Sequence, residues 1–450
     1  MALTFKQGVH PHYREELTRE KPLRRAEQPE KVIIPMQQHI GAPCRPLVKK
    51  GDHVKKGQKI GDTDGFVSAP VHASVSGEVK EITQVRIPSG EKVEAVVIIP
   101  KKIEQTTEKN QENGQDRAAN TVRKFDEISA EEIKKVVREA GITGMGGAMF
   151  PTHVKLSVPE EKTIDYFILN GAECEPYLTA DERMMMEKTE EIISGMKLIM
   201  KAIGASKGIV ALEDNKQEAV KLFEEKIKKF KNIDLKIFAT KYPQGGETML
   251  IKAALDREVP PGGLPLDVGV VVNNVMTAAA VHSAVYEGQP MINRVVCVSG
   301  EGISNPGNYL TPIGTQVKEL IRQAGGFSGK PGKVIVGGPM MGQAQPDLEA
   351  PLVKGSSGIV VLPENMSRTI EPQACIRCAR CVDACPVYLM PTRLMNFIKQ
   401  EMYDQAEENM LNSCIECGSC AYICPSKIPL VHYFRIGKAE LRARKRDNDE

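Results

Sequence analysis

Hydrophobic and polar positions change their rhythm several times along this chain. Over residues 32–100, short β-rich runs such as KVIIP, VSGEVKEI and EAVVIIP are broken by glycine turns, the pattern of a small β domain. Residues 101–120 are polar and charged with no apolar period, which predicts a flexible linker. The period then lengthens. Ser129-x-x-Glu132 is a capping box ahead of Ile133, Val136, Val137 and Ala140, which mark one face of a helix ending at Gly141. The pattern next predicts a strand over 163–169, a helix over 182–203 behind a second box at Thr179-x-x-Glu182, and strands over 207–212, 235–239 and 268–272. Asp214 is placed to cap a helix between two of those strands. Residues 125–288 therefore read as an α/β unit with a mainly parallel sheet. A ββαβ order follows over 294–336, with a turn at Asn305-Pro306-Gly307 and a helix from Thr315. The remainder is mostly helical between cysteine motifs.

Composition narrows the class. A chain of 450 residues allows about three domains, and a 41% hydrophobic content is enough for real cores. The formal charge of +2 gives no net basic field, which disfavours nucleic acid as a partner. The first thirty residues are charged and have no apolar core, so no signal peptide is expected. The most apolar stretch, 268–285, is interrupted by Asn273, Asn274 and His282 and falls short of a membrane span. Any membrane contact is expected to run through a partner.

Candidate chemistry is concentrated near the C-terminus, in Cys375-x2-Cys378-x2-Cys381-x3-Cys385-Pro386 and Cys414-x2-Cys417-x2-Cys420-x3-Cys424-Pro425. This is the bacterial two-cluster ferredoxin signature, in which three closely spaced thiolates wrap one 4Fe-4S cube and the cysteine before proline ligates the other. On that reading cluster I takes Cys375, Cys378, Cys381 and Cys424, and cluster II takes Cys414, Cys417, Cys420 and Cys385. Structural zinc has no role for the third cysteine of each run. A disulfide framework does not suit cysteines gathered in one stretch of a long chain. Cys44, Cys174 and Cys297 are expected to be small, partly buried hydrophobes. His39, His53 and His72 lack metal-ligand spacing and are expected in turn and packing roles. Arg442–Arg446 reads as part of a solvated tail.

A glycine-rich turn, Gly141-Ile142-Thr143-Gly144-Met145-Gly146-Gly147, followed by Phe150 and Lys155, is weak evidence alone, because no strand leads into it. Three more stretches change the picture: Asn170-Gly171-Ala172-Glu173-Cys174-Glu175-Pro176, Tyr242-Pro243-Gln244-Gly245-Gly246-Glu247-Thr248 and Val272-Asn273-Asn274-Val275-Met276-Thr277. Together they resemble the FMN- and NADH-binding flavoprotein subunit of respiratory complex I. The resemblance implies that Gly144, Gly146, Lys155, Asn170, Gly245, Asn273, Asn274 and Thr277 hold FMN. It also implies that Gly147, Phe150, Glu175 and Glu247 face the nicotinamide nucleotide. Acids at the ribose would favour NADH over NADPH. Two positions depart from that family: Met145 stands where it has a basic residue, and Gly246 where its GEET motif has an acid.

The flanks extend the match. Gly8-Val9-His10-Pro11, Gln37-Gln38-His39-Ile40-Gly41-Ala42-Pro43, GDHVKKGQ from Gly51 and APVHASVSG from Ala69 resemble the RnfC family, the C subunits of Rnf electron transport complexes. The N-terminal β domain looks like a biotinyl or lipoyl carrier without the attachment lysine, a β-sandwich and barrel hybrid. Residues 294–345 resemble a β-grasp soluble-ligand-binding module. The expected domains are 1–100 (carrier-like β), 101–120 (linker), 121–290 (α/β, FMN and NADH), 291–348 (β-grasp), 349–370 (connection) and 371–450 (helical two-cluster ferredoxin type, with tail). The resemblance implies an NADH:ferredoxin oxidoreductase subunit on the cytoplasmic face of the cell membrane, peripheral and docked on partner subunits that include an iron–sulfur protein. Electron exchange among NAD(H), FMN and two 4Fe-4S clusters would be coupled to Na+ or H+ transport. The alternative is the flavin and iron–sulfur subunit of a soluble hydrogenase or formate dehydrogenase.

Overall fold

The computed structural model describes residues 2–101, 124–368 and 370–449. The expected linker therefore lies, apart from Lys101, outside the described residues. Among these residues the strands form four sheets. Two make the N-terminal β domain: one ordered Val32–Pro35, Lys92–Pro100, Gly77–Arg86, His53–Val54, and one ordered Arg45–Pro46, Lys59–Asp62, Val71–His72. Val32, Ile34, Ile60, Val79, Val96 and Ile98 fill the space between them. His39 serves as a turn anchor here, its Nε2 accepting the Ala69 N–H at 3.1 Å. Burial lowers its pKa to about 4, so the ring is neutral at pH 7.

The central sheet is parallel throughout, in the order Ile233–Phe238, Lys207–Glu213, Tyr166–Gly171, Val270–Asn274. The Ser129 capping box forms as expected, with Ser129 Oγ accepting from Glu132 N and Glu132 answering at Ser129 N. The box at Thr179 does not. Thr179 is fully buried, and its hydroxyl meets Thr18 Oγ1 at 2.8 Å and Asn308 Nδ2 at 3.1 Å. Glu173 caps the helix instead, accepting from Asp181 N at 2.9 Å and Glu182 N at 3.0 Å. The helix expected over 182–203 is two, Ala180–Glu187 and Thr189–Ile203, broken where Lys188 leaves the helical region. Asp214 likewise turns away from the helix Gln217–Ile227 and accepts from Thr240 N and Oγ1 at 3.0 and 2.6 Å. In both cases a contact distant in sequence outcompetes the local cap.

Helix Thr189–Ile203 packs against helix Val275–Glu287 nearly backbone to backbone at Gly195. A Cβ at Gly195 would stand 1.8 Å from the Ala278 carbonyl oxygen. Gly195→Ala is therefore expected to destabilise the central domain by about 3 kcal/mol, seen as a lower denaturant midpoint for that domain.

The β-grasp order is present as Asn293–Ser299, Gly307–Pro312, helix Val317–Gln323 and Pro331–Val336. Two strands join its sheet from outside. Leu23–Arg25 adds parallel to Gly307–Pro312, and Gly358–Pro363, from the segment expected as a connection, inserts between Asn293–Ser299 and Pro331–Val336.

The arm that carries Leu23–Arg25 runs across three parts of the molecule. Leu3 N–H donates to the Ile237 carbonyl at 3.0 Å, Val9 and Tyr242 exchange backbone bonds, and Gly8 N–H reaches the Ala384 carbonyl at 3.2 Å. Lys216, fully buried, holds the arm's Glu15 at 2.7 Å and Glu182 at 2.8 Å.

Candidate functional site

The carboxyl ends of the central strands and two helix N-termini meet at one edge of the sheet, where ligands bind in open α/β folds. The glycine turn is pinned there from two sides. Met145 N–H donates to Thr277 Oγ1 at 3.0 Å, and the Met145 carbonyl accepts from Arg294 at 2.8 Å. Arg294 is buried, also bonds the Ser356 carbonyl, and was not singled out from sequence because nothing local marks it. Gly146 lies against Asn274, whose Cβ would be 3.1 Å from a Cβ at 146. Asn274 caps helix Val275–Glu287 through Met276 N and donates to Asp181 at 2.7 Å. Asn170 Nδ2 donates to the Gly245 carbonyl at 2.9 Å. Lys155 Nζ reaches both Glu247 Oε1, at 2.5 Å, and the Val272 carbonyl, at 2.6 Å.

The expected FMN residues thus share one edge, and the edge fits a flavin phosphate and ring. Gly147 has open space where a side chain would stand, and Gly144 is crossed only by the Phe150 backbone at 3.7 Å. Asn273 Oδ1 is buried with no hydrogen-bond partner among the described residues, and Lys155 supplies a cation. Of the expected nucleotide residues, Gly147, Phe150 and Glu247 lie on this edge. The Glu175 carboxylate is engaged elsewhere, accepting from Met340 N at 3.2 Å and Met341 N at 2.9 Å. Burial pushes Glu175 up to about 7 against the pull of those two N–H groups.

The two cysteine motifs repeat one backbone. Arg377 and Glu416, Ala379 and Gly418, and Tyr388 and Lys427 occupy matching positions, all with positive φ. Short helices Arg380–Asp383 and Ser419–Tyr422 follow at matching places. Cys385, Cys414, Cys417 and Cys420 line one pocket, walled by Leu389, Val431 and Phe434. Backbone N–H groups of Leu389 and Glu416 point at Cys385 Sγ and Cys414 Sγ at 3.3 and 3.4 Å, which favours thiolate ligands. Lys438 and Arg435 of the last helix hold Glu416 in place at 2.9 and 3.0 Å. A four-thiol pocket of this kind fits a cube. At the other end, Ser426, just past Cys424, bonds Ala374 and Gln373, just before Cys375. Cys381 and Cys424 lie within electrostatic reach of each other, whereas Cys375 and Cys378 are exposed.

Comparison with known proteins finds four regions of similarity. Family models match for the RnfC barrel sandwich hybrid domain over residues 3–102, the Nuo51 FMN-binding domain over 137–283, the SLBB domain over 295–344 and a 4Fe-4S dicluster domain over 368–425. The chain is 45% identical to the C subunit of the Na(+)-translocating ferredoxin:NAD(+) oxidoreductase complex of Acetobacterium woodii, across 98% of both chains. This chain belongs to the RnfC family. Other RnfC proteins match similarly. The C subunit of the proton-translocating ferredoxin:NAD(+) oxidoreductase complex of Clostridium ljungdahlii is 47% identical, across 98% of this chain and 95% of its own. The C subunit of the ion-translocating oxidoreductase complex of Pasteurella multocida is 38% identical, across 97% of this chain and 51% of its own. Among solved structures, an NAD+-reducing [NiFe]-hydrogenase in the H2-reduced state shares the fold, with a TM-score of 0.50 and 23% identity over 72% of this chain and 67% of that one. Among the described residues of this RnfC family member, no helix is long and apolar enough to cross a membrane.

Proposed function

We propose that this protein exchanges electrons between NAD(H) and two 4Fe-4S clusters by way of FMN, as a peripheral member of an ion-translocating ferredoxin:NAD+ oxidoreductase complex. One observation carries the reading: a single buried junction joins the flavin-type edge to the cluster II cavity. Tyr242, three residues before Gly245, donates its hydroxyl to the Cys417 carbonyl at 2.7 Å. A flavin supplies conversion between two-electron and one-electron transfer when bound. The chain's own work is then to bind and hold. Gly144, Gly146, Asn170, Gly245, Asn273, Asn274 and Thr277 shape the ring and phosphate site, and Lys155 offers its charge to the phosphate. Gly147, Phe150, Glu175 and Glu247 are assigned to the nucleotide. Cys375, Cys378, Cys381 and Cys424 hold cluster I, and Cys414, Cys417, Cys420 and Cys385 hold cluster II. The partners are the other members of the complex, an iron–sulfur protein among them, and the surface is the cytoplasmic face of the membrane; the relatives in ion-translocating complexes and the exposed cluster I motif support that placement.

Anaerobic titration of the reconstituted full chain with NADH tests this. Bound flavin is expected to bleach and two cluster signals to appear in EPR spectra, with about eight iron atoms per chain. Chain that binds no FMN, or holds about four iron atoms or fewer, refutes the reading.

A further inference from the structure

The β-grasp module has no ligand assigned to it, yet one of its loops occupies the junction between the flavin-type edge and cluster II. Residues 337–342 follow strand Pro331–Val336 with the sequence Gly-Gly-Pro-Met-Met-Gly. Each glycine has a steric reason. Gly337 has φ +94°, a Cβ at Gly338 would fall 2.1 Å from Glu175 Oε2, and a Cβ at Gly342 would fall 2.4 Å from the Gly338 carbonyl oxygen. The loop is therefore bare where the carboxylate comes in. Glu175 takes the two successive N–H groups of Met340 and Met341, one on each oxygen. On the loop's far side the Met340 carbonyl oxygen would stand 2.8 Å from a Cβ at Gly418, the residue after the ligand Cys417. Met340 packs in the same small apolar cluster as Val9, Tyr242, Ala384 and Cys417.

The loop that carries Cys414–Cys420 is thus gripped from three directions: Tyr242 of the central domain, Met340 of the β-grasp module and, through Ala384, Gly8 of the arm. The loop of cluster I is exposed along residues 371–380. The two sites differ in what holds them.

We infer that Glu175 is a positioning residue, latching the 337–342 loop of the β-grasp module onto the Cys417–Gly418 turn so that cluster II keeps a fixed place against the flavin-type edge. The β-grasp module then acts as a spacer between two redox sites, and its ligand is a glutamate of the same chain. This deepens the proposed function and rests on it for the identity of the two sites. It also limits the nucleotide: any contact it makes with Glu175 is shared with the Met340 and Met341 amides.

The test uses the full chain, reconstituted with FMN, iron and sulfide, as wild type, Glu175→Gln and Gly338→Val. Valine at 338 enters the space of the carboxylate from outside the flavin-type edge. Hydrogen exchange should quicken by roughly tenfold or more at the Met340 and Met341 amides in both variants, because the pair of bonds to the Glu175 carboxyl group is lost or weakened. The EPR signal of cluster II should change shape and midpoint potential, with that of cluster I unchanged and iron still at about eight atoms. Wild-type protection at both amides overturns the inference, as does an unaltered cluster II signal or an equal change in both clusters. If Gly338→Val does not accumulate, Glu175→Gln, which keeps the side-chain shape, decides alone. Failure of NADH to bleach wild-type flavin would refute the proposed function separately, since exchange and potentials are read without NADH.

Discussion

Replacing Cys385 by alanine is expected to remove cluster II, although Cys385 belongs to the first cysteine motif. Its thiol lines the cavity shared with Cys414, Cys417 and Cys420. Iron should fall from about eight to about four atoms per chain. The discriminating result is a comparison. Cys385→Ala and Cys414→Ala should leave the same EPR spectrum, that of cluster I, and Cys424→Ala should leave the other. If each motif instead built its own cluster, Cys385→Ala would match Cys375→Ala, and Cys424→Ala would match Cys414→Ala. Loss of cluster II should also loosen the junction, because Cys417 and Ala384 belong to the apolar contact with Tyr242 and Val9.

The second large effect is expected at Lys216. This ammonium is fully buried between Glu15 of the arm and Glu182 of the central domain, with Asn215 and Arg19 completing the partners of Glu15. Burial would lower its pKa, but the surrounding carboxylates, Glu15 first, raise it overall. A folded-state pKa above the unfolded one means a contribution that is complete below the unfolded value and fades only as pH climbs through the folded one. At pH 7 it is fully present. Lys216→Ala removes the buried cation from between two carboxylates and leaves them only Arg19 at the rim, at a cost of about 3 kcal/mol. Because several domains share this chain, the loss is best read locally, as faster hydrogen exchange and proteolysis over residues 13–25.

Much of this was legible in the sequence because the signals are local. The cysteine spacing led to a four-thiol pocket that includes Cys385 of the other motif, the Ser129 box forms, and the parallel strands appear displaced by up to three residues from the expected ranges. The glycine turn also lies where Asn274 and Thr277 can meet it. The failures share a cause. Thr179 and Asp214 had good local cap patterns, but Thr18, Asn308 and Thr240, distant in sequence, offered better partners. Glu173 took over one cap although nothing in a linear pattern marks it. Strand Gly358–Pro363 looked like a connection because its neighbours in the sheet lie far away along the chain. Arg294, beneath the Met145 carbonyl, belongs to a different module from the turn it supports.

The N-terminal arm has a consequence for the order of biogenesis. Residues 3–25 leave the ribosome early, yet their partners include Asn308–Leu310 and Ala384, which are made far later. Domains generally fold as they emerge, N-terminal first. The arm can meet Ile237, Tyr242 and Lys216 once the central domain exists, but Leu23–Arg25 and Gly8 must wait for the β-grasp sheet and the first cysteine motif. Its docking is therefore completed in steps, and the last of them, Gly8 onto Ala384, closes beside Cys385.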